Sequence, residues 1–385
     1  LRIFAPELNN NPKQTTMHIR PFQAVYPNLD FVTSTDSFFQ SVREEYNEYR
    51  DSGFFQKSAQ EALYVYEIRG AKRSFRGIIA CADIEDYLYG HIKKHEHTMA
   101  DKEQKQLQLL LRRQALVKPV LVTYPEAPAI TAWTRRIVEG EAPALRVFFE
   151  KEEQQHLLWE VRDGALIREI QELFNSDVPD TYIADGHHRS SSSALLYERT
   201  RDEELRERYR NLLCAFFPST DLAIHDFNRV VEGLDDISLS RFMARLAQLF
   251  DIEILKAPIR PRRKFEILLF VNEEWYLLHW KKEVLKEYAE EEVILDSMLL
   301  NEKVLDDILG IEDIRSDQRI DYVAGPKGLE GLRKKIARRE NRVGFCLYPV
   351  QLDELITLAD HEKVLPPKST WFEPRMKNGL IVYEI

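Results

Sequence analysis

Five consecutive residues, Asp185-Gly186-His187-His188-Arg189, separate the apolar run Thr181-Tyr182-Ile183-Ala184 from the helix-prone segment Ser190 to Glu198. These patterns predict strand, tight turn, helix. Glycine permits a sharp turn and close approach of a ligand, and the first amides of a helix carry unpaired N–H groups and a partial positive charge. Such a turn makes an anion pocket. Arg189 adds a two-pronged donor, His187 and His188 add donors or proton-transfer groups, and Ser190 extends the row of polar side chains. A phosphoryl or carboxylate group is the natural occupant. Asp185 is the odd negative charge there, suited to a general base or to a Mg²⁺ that shares the phosphate oxygens. The competing picture is a surface corner whose Asp caps the helix. Five polar or special residues between strand and helix are more than a turn requires.

Lys93-Lys94-His95-Glu96-His97-Thr98 precedes a helix expected from about Met99 to Leu116, with Thr98 and Asp101 spaced as a capping box. Lys93, Lys94, His95 and Thr98 before a helix start make a second anion site, against the plain alternative of an exposed charged face. Glu96 is a candidate acid or base if the fold brings it near Asp185. His91 and His95, four apart, would share one helical face as a zinc pair, but no HExxH is present and no metal site is assigned. Lys368-Ser369-Thr370 follows Pro366-Pro367 and offers either donors to an anion or a rigid lead into the last strands. Arg229, in His225-Asp226-Phe227-Asn228-Arg229, reads as part of a loop-to-helix transition, either a site wall or an ion-paired corner.

The elements that must position these groups follow from periodicity. Ala62–Ile68 and Gly77–Ala82 flank the basic turn 69–76 as a hairpin, and Lys118–Tyr124 reads as a buried strand bounded by prolines. Further strands are expected at Ala144–Glu150 and His156–Val161, and helices at Phe38–Tyr49, Asp163–Phe174 and Leu239–Leu249. A hairpin spans Phe265–Trp280 through Asn272-Glu273-Glu274, and an acidic helical run covers Lys282–Leu309. Trp371–Met376 and Leu380–Ile385, joined by Asn378-Gly379, carry the pattern of a terminal hairpin. The class is α+β, with a soft boundary near residue 222. Residues 1–221 hold the Lys-Lys-His-Glu-His-Thr and Asp-Gly-His-His-Arg motifs, and residues 222–385 form a second α+β domain ending in the hairpin.

Composition narrows the function classes. With 385 residues, 44% apolar and 31% charged, the chain can bury a real core. Its formal charge of −10 has the wrong sign for coating nucleic acid or anionic lipid. No apolar run approaches the roughly 18–20 residues of a membrane-spanning helix, and Leu1–Lys13 lacks the basic-then-apolar order of a secretory leader. Cys81, Cys214 and Cys346 sit in apolar surroundings without CxxC spacing, as reduced packing thiols of a cytoplasmic protein. There is no Gly-rich phosphate loop ending in Gly-Lys-Ser/Thr, no GxGxxG, no GxSxG and no kinase signature set.

Tyr182-Ile183-Ala184-Asp185-Gly186-His187-His188-Arg189, together with Gly90 to Thr98, Lys102-Glu103 and Pro366 to Pro374, resembles a bacterial and archaeal family of unknown function recognised by its Ile-Ala-Asp-Gly-His-His-Arg motif. The resemblance runs from Arg20-Pro21-Phe22 to Gly379-Leu380. Two departures stand out: Asn28 to Thr33 replaces a usual Pro-Tyr-Asp-Val segment, and Asn228 stands where many relatives have His before Arg229. The Asp-Gly-His-His-Arg turn is also similar to that of free serine kinases of the ParB and sulfiredoxin-like fold. That likeness implies a ParB-like first domain, Asp185 as base or phosphate-site acid, and a phosphoryl group held by His187, His188 and Arg189. It implies Glu96 as a second carboxylate, ADP or ATP with Mg²⁺ as cofactors, and phosphoserine as the small phosphorylated partner, in dephosphorylation or in phosphoryl transfer to ADP. A nucleotide-responsive regulator of ParB type without catalysis is the rival reading, and self-association as a homo-oligomer is compatible with either.

Overall fold

Leu63–Arg69 and Ser74–Asp83 pair antiparallel, Tyr64 opposite Ile79 and Ile68 opposite Phe75, forming the hairpin expected around the basic turn. Nearly all of both strands is buried, because helices cover the sheet they belong to. Leu63, Val65, Ile78 and Ala80 share one core with Trp133 and Ile137 of helix Pro128–Gly140 and with Ile170 and Phe174 of helix Gly164–Asp177. Each large apolar side chain so buried contributes about 1.5–3 kcal/mol. Asp163 caps the second of these helices by accepting from the Ala165 and Leu166 N–H groups.

The computed structural model describes residues 16–234, 237–337 and 341–385, so the leader reading on Leu1–Lys13 lies outside the described residues. Contacts divide the chain into two compact units, Leu1–Leu222 with Pro374–Ile385, and Ala223–Glu373. In the first unit the candidate residues are carried by β1 (Ile92–Lys93), α1 (Ala100–Arg113), β2 (Val120–Tyr124), β3 (Thr181–Asp185) and α2 (His187–Arg199). The sheet runs β1, β3, β2, Asn211–Pro218, Ser74–Asp83, Leu63–Arg69, Gln154–Val161, Leu145–Phe149, with Ile19–Arg20 also on Ser74–Asp83. It is mixed: β1 and β3 are parallel, β3 and β2 antiparallel.

The second unit is built on an antiparallel sheet in the order Phe250–Leu255, Glu274–Trp280, Glu266–Val271, Arg342–Leu347, Phe227–Glu232, Ile320–Ala324. Asn272 and Glu273, with φ of 50° and 62°, make the two-residue turn that matches strand twist. Helix Leu239–Leu249 buries Phe242 and Leu246 in the same core as Leu269 and Phe345. The mixed α+β class read from the sequence therefore holds, and among the described residues no helix is long and apolar enough to cross a membrane. Cys81, Cys214 and Cys346 are buried and unbridged.

Four local expectations fail for identifiable reasons. The terminal strands do not pair with each other: Trp371–Glu373 joins Ala223–His225, while Val382–Glu384 joins Ala24–Pro27 and Ala115–Leu116. Pro374, which has no N–H to give, ends the first of them. The acidic run is broken between Lys282–Lys286 and Asp296–Leu299, where a continuous helix would set Glu287 against Glu290 and Glu291 at i,i+3 and i,i+4, and it goes on as a wider turn at Leu300–Asp306. α1 begins at Ala100 with Met99 as an N-cap that offers no side-chain bond, and Thr98 instead hydrogen-bonds Glu103. Finally, Arg229 lies within the strand Phe227–Glu232, not at a helix start.

Candidate functional site

Parallel pairing of β1 with β3, Ile92 opposite Thr181 and Lys93 opposite Tyr182, makes both motifs leave the sheet at the same end. His95 consequently meets His187. Their rings are T-shaped with centroids 4.5 Å apart, and the His95 N–H donates to His187 Nε2 at 3.4 Å. Glu96 Oε2 lies 3.7 Å from His187 Nδ1. Burial pushes His187 down to about 3 against the upward pull of Asp185, so the ring is neutral and the Glu96 contact is not an ion pair. His95, wholly buried, is held well below its ordinary value by burial and then by His187.

The register of β3 against β2 shifts between Ile183 and Asp185, a bulge that re-aims the strand end. Gly186 has φ +120°, and a Cβ there would sit 2.7 Å from a terminal nitrogen of Arg189. Only glycine takes this backbone and admits the guanidinium. Arg189 folds back to donate to the Asp185 carboxylate at 3.0 Å, the Asp185 carbonyl at 3.3 Å and the Pro119 carbonyl at 3.2 Å. Lys118 Nζ reaches the same carboxylate at 3.2 Å and Arg375 at 3.4 Å. Burial pushes the Asp185 carboxyl up, but Arg189, Lys118 and Arg375 outweigh it and hold it well below the usual carboxylate range. Lys118 is pushed down to about 8, by burial first and then by Arg189, against the pull of Asp185.

The serine run docks α2 on α1. Ser191 hydrogen-bonds the Glu103 carboxylate, and Ser192 donates within reach of the Glu103 carbonyl at 3.0 Å and the His188 carbonyl at 2.7 Å. The buried Ser190 hydroxyl points back to the Gly186 carbonyl at 3.4 Å. His188, half-buried beside them, is pushed down by burial and by Lys102.

Asp185, Gly186, His187, His188, Arg189, Ser190, His95 and Glu96 thus gather at one corner, with Thr98 tied to Glu103 at its side. Lys93 is turned to Asp180 at 2.8 Å, and Lys94 is exposed, its charge felt by His187 and Glu103. The zinc pairing of His91 with His95 fails because the segment is strand and loop, and His91 Nδ1 faces Asp180 at 3.0 Å. Among the described residues, His95, Glu96 and His187 have ligand atoms within 4.8 Å of one another. Two imidazoles and one carboxylate suit zinc or manganese; Mg²⁺ takes oxygen ligands, so this trio does not fit it.

Arg229, Lys368, Ser369 and Thr370 belong to the second unit. Arg229 is fully buried, 5.9 Å from the Tyr322 ring centroid, and donates to the Phe227 carbonyl at 2.8 Å. Lys368 lies 5.3 Å from the Phe227 ring centroid, Ser369 bonds Ser297 and the Pro366 carbonyl, and Thr370 is buried.

Sequence reasoning passed over Lys118 and Arg375. Lys118 had a signal: a lysine opening a buried apolar strand is costly unless something pairs with it. Arg375 had none, since its partner lies 190 residues away.

A family model described as "Protein of unknown function (DUF1015)" matches residues 12–304. The chain belongs to this family. In this DUF1015 member the motif turn is the one that carries the three ion pairs of Asp185. Among solved structures the chain is similar to SbnI with C-terminal truncation from Staphylococcus aureus, at 12% identity over 78% of this chain and 87% of that one, with a TM-score of 0.41. A free serine kinase mutant in complex with ADP gives 14% identity, 81% and 95% coverage and a TM-score of 0.36. A conserved hypothetical protein from Pyrococcus furiosus gives 11%, 79% and 95%, and 0.34. No curated protein matches the chain.

Proposed function

We propose that this chain binds the phosphoryl group of a small phosphorylated hydroxy compound, O-phosphoserine, at the Asp-Gly-His-His-Arg turn, and removes it or transfers it to ADP. One observation carries this reading. Three cationic side chains, Lys118, Arg189 and Arg375, converge on the strand end that opens a helix. The amides of His187 and His188, which open that helix, face the same end, while the Arg189 N–H is taken by the Gly186 carbonyl at 2.8 Å. Phosphoryl oxygens would share these cations with Asp185 and loosen their hold on it.

Acid or base duty falls to Glu96. Asp185, held ionised by three ion pairs, is a weak base until a ligand draws the cations away. Glu96 is the more accessible carboxylate, its side chain 38% exposed beside the neutral His187. The adenine nucleotide is implied by the motif's likeness to the free serine kinases alone. The ion pairs of Asp185 also favour a second reading, a phosphate- or nucleotide-responsive module without catalysis.

Phosphorus NMR of the purified chain with O-phosphoserine and Mg²⁺, with and without ADP, separates these. Free phosphate marks a phosphatase and an ATP signal a reversible kinase, each expected to vanish in Glu96→Gln. A folded protein that changes nothing under any condition would sink catalysis and leave the binding module.

A further inference from the structure

A cavity of about 140 Å³ opens along the flank of α2. Four cations line it: Arg43, Arg113, Lys118 and Arg189, with Ser193 and Asn378 between them. The remaining wall is made by Gln106 and Ser192 and by the aliphatic Leu110, Ala115, Leu116 and Val117, and no aromatic ring lies among its lining residues.

Arg113, at the last turn of α1, is only 6% exposed. Its Nε and one terminal nitrogen nonetheless have no hydrogen-bond partner, and the same holds for Arg189 Nε and Ser193 Oγ. Buried donors left unmet cost free energy, most of all on a charged group. The carboxylates within reach do not meet them. Glu44 pairs outward with Arg112 at 3.5 Å and with Arg43 at 3.4 Å, and Asp185 is shared with Arg375. Burial accordingly pushes Arg113 down to about 10, against Glu44.

We propose that this cavity binds a compact tetrahedral dianion, inorganic phosphate or the phosphate of a monoester, on Arg113, Arg43, Lys118 and Arg189. Planar guanidinium forks match phosphate geometry in two-bond pairs, and a dianion supplies the acceptors that Arg113, Arg189 and Ser193 lack. With no ring to stack on, the cavity offers a nucleobase nothing. The site goes beyond the function proposed above: it shares Lys118 and Arg189 with the motif turn, yet occupancy needs neither Glu96 nor turnover.

The test is calorimetric titration of the full chain with inorganic phosphate, and separately with O-phosphoserine, in Arg113→Met, Arg43→Met and wild type. Arg113→Met is expected to weaken binding about tenfold or more. Arg43→Met, at the exposed rim and so safe for folding, should weaken it about threefold. Loss of phosphate binding alone in these variants assigns the cavity to the free ion, and parallel loss of O-phosphoserine binding assigns it to the monoester; both support the site. Wild-type affinity in a folded Arg43→Met and Arg113→Met, or no phosphate binding by wild type, overturns it. Phosphoserine turnover, read by NMR, can succeed or fail independently of these outcomes.

Discussion

Asp185 and Arg189 form an ion pair at 3.0 Å, four residues apart across the glycine that caps α2. The carboxylate lies one residue before the cap of α2, at the end of the helix that favours an anion, and its side-chain partners are Arg189, Lys118 and Arg375. On the proposed function, Asp185 is the anion that an incoming phosphoryl group would have to compete with.

Replacing Asp185 by Asn keeps the shape and removes the charge. Three cations then face one another, so folding is expected to lose about 2–4 kcal/mol, at the lower side of the range for breaking a buried pair because the carboxylate keeps some solvent. A phosphate anion should replace the missing charge. The expected result is a Tm that inorganic phosphate raises more in Asp185→Asn than in wild type. Equal shifts in the two proteins would show that the carboxylate and the ligand do not share cations.

Gly186→Ala tests the turn itself. The backbone there, φ +120°, is one that L side chains rarely adopt, and the new Cβ would press on the Arg189 guanidinium. About 1–3 kcal/mol of backbone strain is expected, together with weakened phosphate binding as Arg189 is displaced. Thermal unfolding and calorimetry read the two effects; a variant with wild-type affinity would free Arg189 of any part in holding the anion.

Much of the architecture behind this turn could be read from residue order alone. The hairpin on Leu63–Arg69, the strand–Gly–helix passage through Gly186 and the two-residue turn at Asn272-Glu273 are local, each specified by alternation and turn chemistry. The terminal segment was not legible. Asn378-Gly379 looks like a hairpin turn, but Gly379 instead packs on Val42 and donates its N–H to the Val117 carbonyl, partners far off in sequence. The candidate site divides the same way. Asp185 to Arg189 were visible as a motif, whereas Lys118, Arg113 and Arg375 became site residues only through sheet pairing and chain return.

Lys118 gives the proposed anion site an expected pH dependence. Its ammonium titrates near 8, faced by Asp185, Arg189 and Arg375. Below that pH it is charged and helps hold an anion, and as pH rises through about 8 the contribution is lost, later in the complex because a bound anion raises the pKa. Sulfate, whose charge is constant from about pH 7 to 9, is the suitable probe. Its affinity should fall about threefold to tenfold over that interval in wild type, and stay low and nearly flat in Lys118→Met. A flat profile in wild type would mean that Lys118 stays charged throughout or does not reach the ligand.

Asp86 carries a pH-dependent cost unrelated to the site. It is fully buried in the short helix Ile84–Leu88, accepts the His18 N–H at 3.2 Å, and is pushed up to about 7 by burial, further by Asp83 and against His18, His91 and Arg20. A carboxyl whose folded pKa lies above its unfolded value near 3.8 contributes stability in full below that value, and the contribution is lost as pH rises through about 7. Asn keeps an oxygen for the His18 N–H and never ionises. Asp86→Asn should therefore gain on wild type between pH 5 and 8, by about 3 kcal/mol in urea unfolding, since each pKa unit is worth about 1.4 kcal/mol. The same difference at both pH values would mean that Asp86 is already ionised in the fold at pH 5, with a counter-charge nearer than Arg20 or His91.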